Sequence, residues 1–134
     1  MNADVKRMRP EFRAWTDEGK VMYYDVYPFK DGTLLLSYDE IAFDEVPASD
    51  FVLMQSTGLK DKNDSEIFEG DIVRYECCFE SYVEEVIYND KHCNFGTIDK
   101  NEKTFSFDVL ISDFDVDCFE VVGNKYENPE LLGE

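Results

Sequence analysis

Three aspartates, Asp113, Asp115 and Asp117, alternate with apolar residues near the carboxyl end of the chain. Carboxylates at this spacing open the calcium loops of EF-hands, which also need Gly at position six and Glu at position twelve. Cys118 and Asn124 occupy those two positions, so the pattern does not predict an EF-hand. On an extended segment the three carboxylates would share one face at intervals of about 6.6 Å. The sequence therefore predicts a solvated acidic face, with a cation site as the less favoured alternative.

The sulfur and imidazole side chains show no recognised catalytic or metal-binding spacing. Cys77, Cys78, Cys93 and Cys118 lack the C-x-x-C pattern of zinc sites, and His92 is the one histidine. A zinc site assembled from distant residues is the alternative, but we expect reduced thiols that pack as small apolar side chains. A Ser–His or Cys–His catalytic pair would have to use His92, which lies in a predicted turn. We therefore expect no catalytic residue, no metal and no cofactor.

Four other carboxylates, and the aromatic and basic residues of the first half, also have simpler explanations. Nothing in the sequence fixes an acid–base pair among Glu69, Asp71, Glu84 and Glu85. Aromatic strand residues could stack on bases, and a small amino-terminal basic cluster could contact phosphates. The net charge of −18 opposes both, because it repels phosphate backbones and anionic membranes. These residues are Trp15, Tyr23, Tyr24 and Tyr27, and Lys6, Arg7, Arg9 and Arg13. We expect neither direct nucleic-acid binding nor membrane binding.

The negative charge is concentrated in the second half of the chain. Residues 1–62 carry 8 basic and 12 acidic side chains, a net charge of −4, whereas residues 63–134 carry 5 and 19, a net charge of −14. A turn-rich stretch, 57–65, lies near the change. We predict an N-terminal β-meander at 1–56, a small β-barrel at 57–126 and a tail with a short helical turn at 127–134.

Strand patterns dominate the sequence. Short runs of β-branched and aromatic residues recur with turns between them, which is typical of an all-β sandwich or barrel. Isolated glycines, Gly58 and Gly70, mark predicted turns, with Asp71 after the second, and Pro129 opens the predicted helical turn. Residues 38–50 hold either a short strand or a helical turn. The predicted strands are 12–15, 21–27, 33–37, 51–55, 72–77, 82–88, 95–98, 104–111 and 120–123.

The start of the chain has charges but no apolar run, so we expect no signal peptide, and no stretch approaches the length of a membrane span. These features predict a cytoplasmic protein.

Four strings of residues carry a family resemblance. They are Phe-Arg-Ala-Trp at 12–15, Leu-Met-Gln-Ser-Thr-Gly-Leu-Lys-Asp-Lys-Asn at 53–63, Glu-Ile-Phe-Glu-Gly-Asp-Ile-Val at 66–73, and residues 119–132. The chain resembles the YopX family, small proteins encoded by bacteriophages and prophages. The resemblance implies an SH3-like barrel in the C-terminal portion and a bacterial host cytoplasm, and it brings no catalytic motif. Asp64 stands where the family usually has Gly, and we expect the turn to persist because Asp tolerates positive φ.

Two classes of function follow. The favoured one is a non-catalytic phage or prophage accessory protein. It would bind an unidentified host or phage protein that carries a basic face, through the acidic face of Asp113, Asp115 and Asp117. In its sharper form the acidic C-terminal half imitates nucleic acid and acts as a decoy for a nucleic-acid-binding protein. The alternative is a metal-assisted hydrolase that uses the same carboxylates. A homo-oligomer is left open.

Overall fold

The fold is mostly β, as predicted, in a computed structural model that describes residues 11–37 and 41–133. A short helix, α1, spans Phe107–Ser112, and 3₁₀ turns span Ala48–Asp50 and Pro129–Leu132. The described part of the chain divides into two compact units between Gly58 and Leu59. The strands are β1 Phe12–Thr16, β2 Val21–Tyr23, β3 Val26–Pro28, β4 Thr33–Leu36, β5 Asp44–Pro47, β6 Val52–Lys60, β7 Glu66–Phe68, β8 Asp71–Cys77, β9 Glu80–Asn89, β10 Asn94–Ile98, β11 Thr104–Ser106 and β12 Glu120–Asn124.

The first unit contains two antiparallel arrangements. Strand β1 pairs with β2 on one side and with β6 on the other, while β3, β4 and β5 form a meander. Alternation along β4 places Leu34 and Leu36 in a small core with Ala14 and Val26. The segment 38–50 holds both a strand and a helical turn, so the two structures that its sequence left open are both present.

The prediction of one continuous strand at 21–27 is wrong. A bend at Tyr24 and Asp25 separates β2 from β3, and the two strands belong to different sheets. The carbonyl of Asp25 accepts a hydrogen bond from the Ser37 N–H at 3.0 Å, which fixes the chain direction after the bend. The β-branched and aromatic composition is the same on both sides of the bend, so propensity alone could not locate it.

The second unit is built on a curled antiparallel sheet in the order β11–β10–β9–β8–β12. The last strand, β12, lies beside β8, the first strand of a four-stranded meander. Apolar side chains from the strands, from α1 and from the loop after it form the core of this unit: Ile67, Val73, Tyr75, Val86, Phe107, Leu110, Val116 and Phe119. The 3₁₀ turn with Pro129 at its first position follows, as predicted.

The predicted strand 104–111 is wrong beyond Ser106. The Ser106 side chain accepts a hydrogen bond from the Val109 N–H at 3.2 Å and caps helix α1. Phe107 and Leu110, three residues apart, are buried on one side of the helix, whereas Ile111 is 47% exposed. Leu110 breaks the alternating pattern of this segment, and it is the residue that indicates a helical period.

Three residues with positive φ, two glycines and one aspartate, lie at or shortly after the point where the chain divides into its two units. Gly70 has a φ of +84° in the turn between β7 and β8, as predicted. Gly58, with a φ of +82°, lies inside strand β6 rather than in a turn, which corrects its prediction. The turn comes later, at 61–65, where Asp64 adopts a φ of +68°. The turn therefore forms with Asp at this position, as expected.

Candidate functional site

Asp61, in the Lys-Asp-Lys string, is a buried structural residue. One of its oxygens, Oδ1, accepts hydrogen bonds from the N–H groups of Asn63 and Ser65 at 2.9 and 2.8 Å. The other, Oδ2, accepts from the Val121 N–H of β12 at 2.9 Å. Burial alone would raise the pKa of Asp61, but the hydrogen bonds from Val121, Ser65 and Asn63 lower it overall. The string thus ties the turn at 61–65 to β12.

The polar residues of two other strings also close turns. Asp71 lies at the start of β8 and is buried, and its Oδ2 accepts a hydrogen bond from the Phe68 N–H at 2.8 Å. The Asn124 Oδ1 accepts from the N–H groups of Tyr126 and Glu127 at 3.0 and 2.9 Å. These motif residues therefore make contacts within the second unit that hold its turns in shape.

Glu84 is a buried acidic residue of strand β9 in the second unit. Its Oε1 accepts hydrogen bonds from the Tyr75 hydroxyl at 2.7 Å and from the Thr97 hydroxyl at 2.8 Å, and all three residues are buried. Burial, followed by the hydrogen bond to Glu84, raises the pKa of Tyr75, so its phenol stays protonated. Glu85 instead pairs with the Lys125 ammonium at 2.9 Å. Glu84 and Glu85, two of the carboxylates considered for acid–base chemistry, therefore have different partners.

The three aspartates singled out in the sequence are all exposed, but they do not lie on a strand. Asp113 caps the end of α1, and Asp115 has a φ of +57°, so simple alternation of faces does not apply. Val116 is buried, as expected, whereas Phe114 is 41% exposed. Among residues 11–37 and 41–133, no group of three or more His, Cys, Asp or Glu side chains could hold a metal ion.

An acidic surface nevertheless follows from the local charge pattern. Between Lys103 and Lys125 the chain has five acidic residues and no basic one. Ile111 and Phe114 are partly exposed among these charges. We call helix α1 and the loop after it, residues 107–118, the acidic segment. Its exposed carboxylates are those of Asp108, Asp113, Asp115 and Asp117.

Beside the acidic segment lies a cleft of about 320 Å³. Arg74 Nη2 lies 2.6 Å from Glu120 Oε1, and Lys62 Nζ lies 3.7 Å from the same oxygen. The hydrogen bond from Arg74 lowers the pKa of Glu120. Because both cations are directed at Glu120, their charge is partly neutralised within the cleft. The cleft is lined by Lys62, Arg74, Tyr75, Glu76, Asp117, Cys118, Phe119 and Glu120.

The cysteines are free, but most of them do not pack as small apolar residues. Only Cys77 is half-buried against the core of the second unit, whereas Cys78, Cys93 and Cys118 are exposed. This corrects the expectation of partly buried thiols. His92 is also exposed, and its backbone N–H donates a hydrogen bond to the Asn89 backbone carbonyl at 3.2 Å in the predicted turn.

The aromatic and basic residues of the first half are divided between interior and surface. Trp15 and Arg13 are buried, so Arg13 is not part of a basic surface cluster. Tyr24 and Tyr27 are 60% and 47% exposed, whereas Tyr23 is half-buried. The other members of the predicted cluster, Lys6, Arg7 and Arg9, lie outside the described residues.

One exposed feature was not anticipated from the sequence. Cys78 and Phe79 form the two-residue turn between β8 and β9, with φ values of +56° and +70°, and Phe79 is fully exposed. Two-residue turns with positive φ at both positions favour Asn-Gly, because a Cβ is disfavoured there. The sequence signal that could have located this turn is the break between two strongly β-forming runs, since the residues themselves are poor turn formers.

Replacing Phe79 with Gly is expected to raise the free energy of unfolding by about 1 kcal/mol, because Gly adopts positive φ without strain. Urea denaturation of the two proteins measures the difference. The matched control is Ser81→Gly in strand β9, which should lower stability by about 0.5–1 kcal/mol. A Phe79→Gly protein no more stable than the parent would contradict the strained turn.

The chain is similar to known proteins both in sequence and in structure. The sequence model described as YopX protein matches residues 11–133. A crystal structure of protein EF1440 from Enterococcus faecalis is similar over 92% of this chain and 98% of that chain, with 31% sequence identity and a TM-score of 0.63. No curated protein matches the chain. No helix in the described ranges is long and apolar enough to cross a membrane.

Proposed function

This chain belongs to the YopX family, and we propose that it is a phage or prophage accessory protein that binds a partner protein through the acidic segment, without catalysis. The partner is a host or phage protein with a basic face, and binding takes place in the cytoplasm of the bacterial host. The sharper form of the proposal is that the exposed carboxylates stand in for the phosphates of a nucleic acid that this partner also binds.

The observation that carries the proposal is the run of exposed carboxylates between Lys103 and Lys125 with no basic residue among them. Ile111 and Phe114, each more than two-fifths exposed, lie within that run. Interfaces commonly combine an apolar centre with a polar rim, and a charged rim speeds association with a partner of opposite charge. The acidic segment offers both features on a short stretch of chain.

The anchoring of the acidic segment also supports a role in binding. Phe107 and Leu110 of α1, and Val116 of the loop, are buried in the core of the second unit. The exposed side chains are therefore carried by a backbone that is held at several points, which lowers the entropy cost of ordering them on binding.

The enzymatic alternative is a hydrolase that uses a metal ion on the same aspartates. Such a site needs several convergent ligands around the metal. The alternative predicts a turnover that depends on a divalent cation and is abolished when any one of Asp113, Asp115 and Asp117 is changed to Asn. The binding proposal predicts graded effects that follow the total charge.

Affinity capture tests the proposal. The tagged chain is incubated with bacterial host lysate at about 50 mM and about 300 mM salt, because screening separates electrostatic from apolar attachment. We expect a specific partner at low salt whose yield falls at high salt. The test variant is Asp113→Asn/Asp115→Asn/Asp117→Asn, and it should lose most of that partner while its thermal unfolding is unchanged.

A matched control removes the same charge from elsewhere on the surface. Asp31, Asp44 and Asp50 are exposed residues of the first unit, and their triple change to Asn also alters the net charge by three. This control should retain the partner. Equal capture by the two triple variants would contradict a role for the acidic segment.

A further inference from the structure

Cys77 and Cys78 place two thiols side by side at the end of strand β8. Their Sγ atoms are 3.4 Å apart. Cys77 packs against the core of the second unit, and its Sγ lies 3.9 Å from the carbonyl oxygen of Phe114. Cys78 is exposed, with its backbone fixed at a φ of +56° in the turn. One thiol is therefore anchored, and the other is accessible beside it.

This geometry disfavours a disulfide between the two residues. Neighbouring Cα atoms across a trans peptide are about 3.8 Å apart, whereas disulfides usually need about 4.4–6.8 Å. The peptide bond between Cys77 and Cys78 is not cis, since the described residues contain no cis peptide. Closing an S–S bond here would strain the turn, so the geometry does not favour a disulfide within this pair.

A single atom that bonds both sulfurs fits the same geometry without closing an S–S bond. With bonds of about 2.3 Å, as between zinc and sulfur, an angle near 90° at the bridging atom gives an S···S distance of about 3.3 Å, and a tetrahedral angle gives about 3.8 Å. The observed 3.4 Å is nearer the first value. The pair is thus preorganised for a pyramidal centre with angles close to 90°.

We propose that Cys77 and Cys78 form a dithiol site for a three-coordinate thiophilic centre of the trivalent arsenic type. With an organoarsenic oxide the reaction is a condensation and involves no change of oxidation state. Two As–S bonds form and the As–O bonds break. The two thiol protons leave with the oxygen as one molecule of water, and the carbon substituent keeps the third position on arsenic.

Chelation distinguishes this site from the other cysteines. Once one sulfur is bonded, the second is held at high effective concentration, which strengthens binding by about 10²–10⁴-fold over a single thiol. Within the described ranges no third His, Cys, Asp or Glu completes a metal site, and this favours a ligand that brings its own third substituent. The hydrogen bond with Cys78 raises the pKa of Cys77, in keeping with a proton shared between adjacent sulfurs.

Phenylarsine oxide is the probe. The reduced full chain is incubated with one equivalent, and intact mass spectrometry measures the adduct in the presence of increasing 2-mercaptoethanol or 1,2-ethanedithiol. We expect one adduct per chain that resists a large excess of the monothiol and is removed by the dithiol. Cys77→Ser and Cys78→Ser should each reduce the monothiol concentration needed for release by about 100-fold or more.

Cys93→Ser and Cys118→Ser are the matched controls, because each also removes one exposed thiol. They should keep the resistant adduct. The proposal is overturned if the parent forms no resistant adduct, or if the resistant adduct survives in either the Cys77→Ser or the Cys78→Ser protein. Thermal unfolding of the four variants shows that each is folded before the probe is added.

Discussion

Replacing Asp61 with Ala is expected to lower the free energy of unfolding by about 2–4 kcal/mol, because three backbone N–H groups lose a charged acceptor. The Val121 N–H accounts for much of the loss, since water can more easily replace the acceptor in the exposed turn. Urea denaturation measures the change. Asp64→Asn is the control, because Asp64 is exposed in the same turn and Asn tolerates its positive φ.

The pH dependence of stability gives a second measure of Asp61. Its pKa in the folded protein is below the ordinary value of 3.8, so the carboxylate adds stability that is present above that value. This contribution is lost as the pH falls through the pKa of the folded protein. The stability difference between the parent and Asp61→Asn should therefore shrink as the pH is lowered from about 5 to below about 3. A difference that grows on acidification would contradict the role given to this carboxylate.

Replacing Glu84 with Ala should also cost about 2–4 kcal/mol, because the buried hydroxyls of Tyr75 and Thr97 both lose their acceptor. Glu84→Gln is the matched variant. Both hydroxyls donate to one oxygen, Oε1, and a Gln side chain can present an oxygen at that position, so its cost should stay below about 1 kcal/mol. Thermal or urea unfolding measures both. Equal losses in the two variants would show that the interior of the second unit requires the charge of Glu84 rather than these two hydrogen bonds.

Much of the strand content follows from local sequence, because alternation and β-branched composition are strong signals. The pattern of β8 and β9 is of this kind, and both strands are present close to their predicted bounds. Where the prediction failed, tertiary context was decisive. The bend at Tyr24 and Asp25 falls within a continuous β-forming run, and the Ser106 cap converts an alternating pattern into a helix. Neither the bend nor the cap changes the residue composition from which the strands were predicted.

Less could be predicted from the sequence about the candidate sites than about the fold. The exposure of Asp113, Asp115 and Asp117 could be expected, because charged residues are rarely buried without a partner. The proximity of the Cys77 and Cys78 sulfurs, by contrast, depends on the backbone of a turn that neither residue favours. A positive φ at Cys78 and Phe79 is set by strand pairing on both sides, and the local sequence does not encode it.

The strings that carry the family resemblance and the surface proposed to act are largely different residues. Asp61, Asp71 and Asn124 lie within those strings and are buried, and each closes a turn. The acidic segment falls between the third and fourth strings and contributes mainly exposed side chains. A family can keep such a scaffold while its members change the exposed loop, as is common where function lies in loops on a rigid framework.

The association rate with the captured partner tests the central claim most directly. Stopped-flow or surface-binding kinetics would be recorded between about 50 and 300 mM salt for the parent, for Asp113→Asn/Asp115→Asn/Asp117→Asn, and for the matched triple variant of the first unit. We expect the parent rate to fall by about tenfold or more over this range, and the acidic-segment variant to start slower and to depend less on salt. The matched variant should follow the parent closely. An association rate that is indifferent both to salt and to the loss of Asp113, Asp115 and Asp117 would contradict binding through the acidic segment.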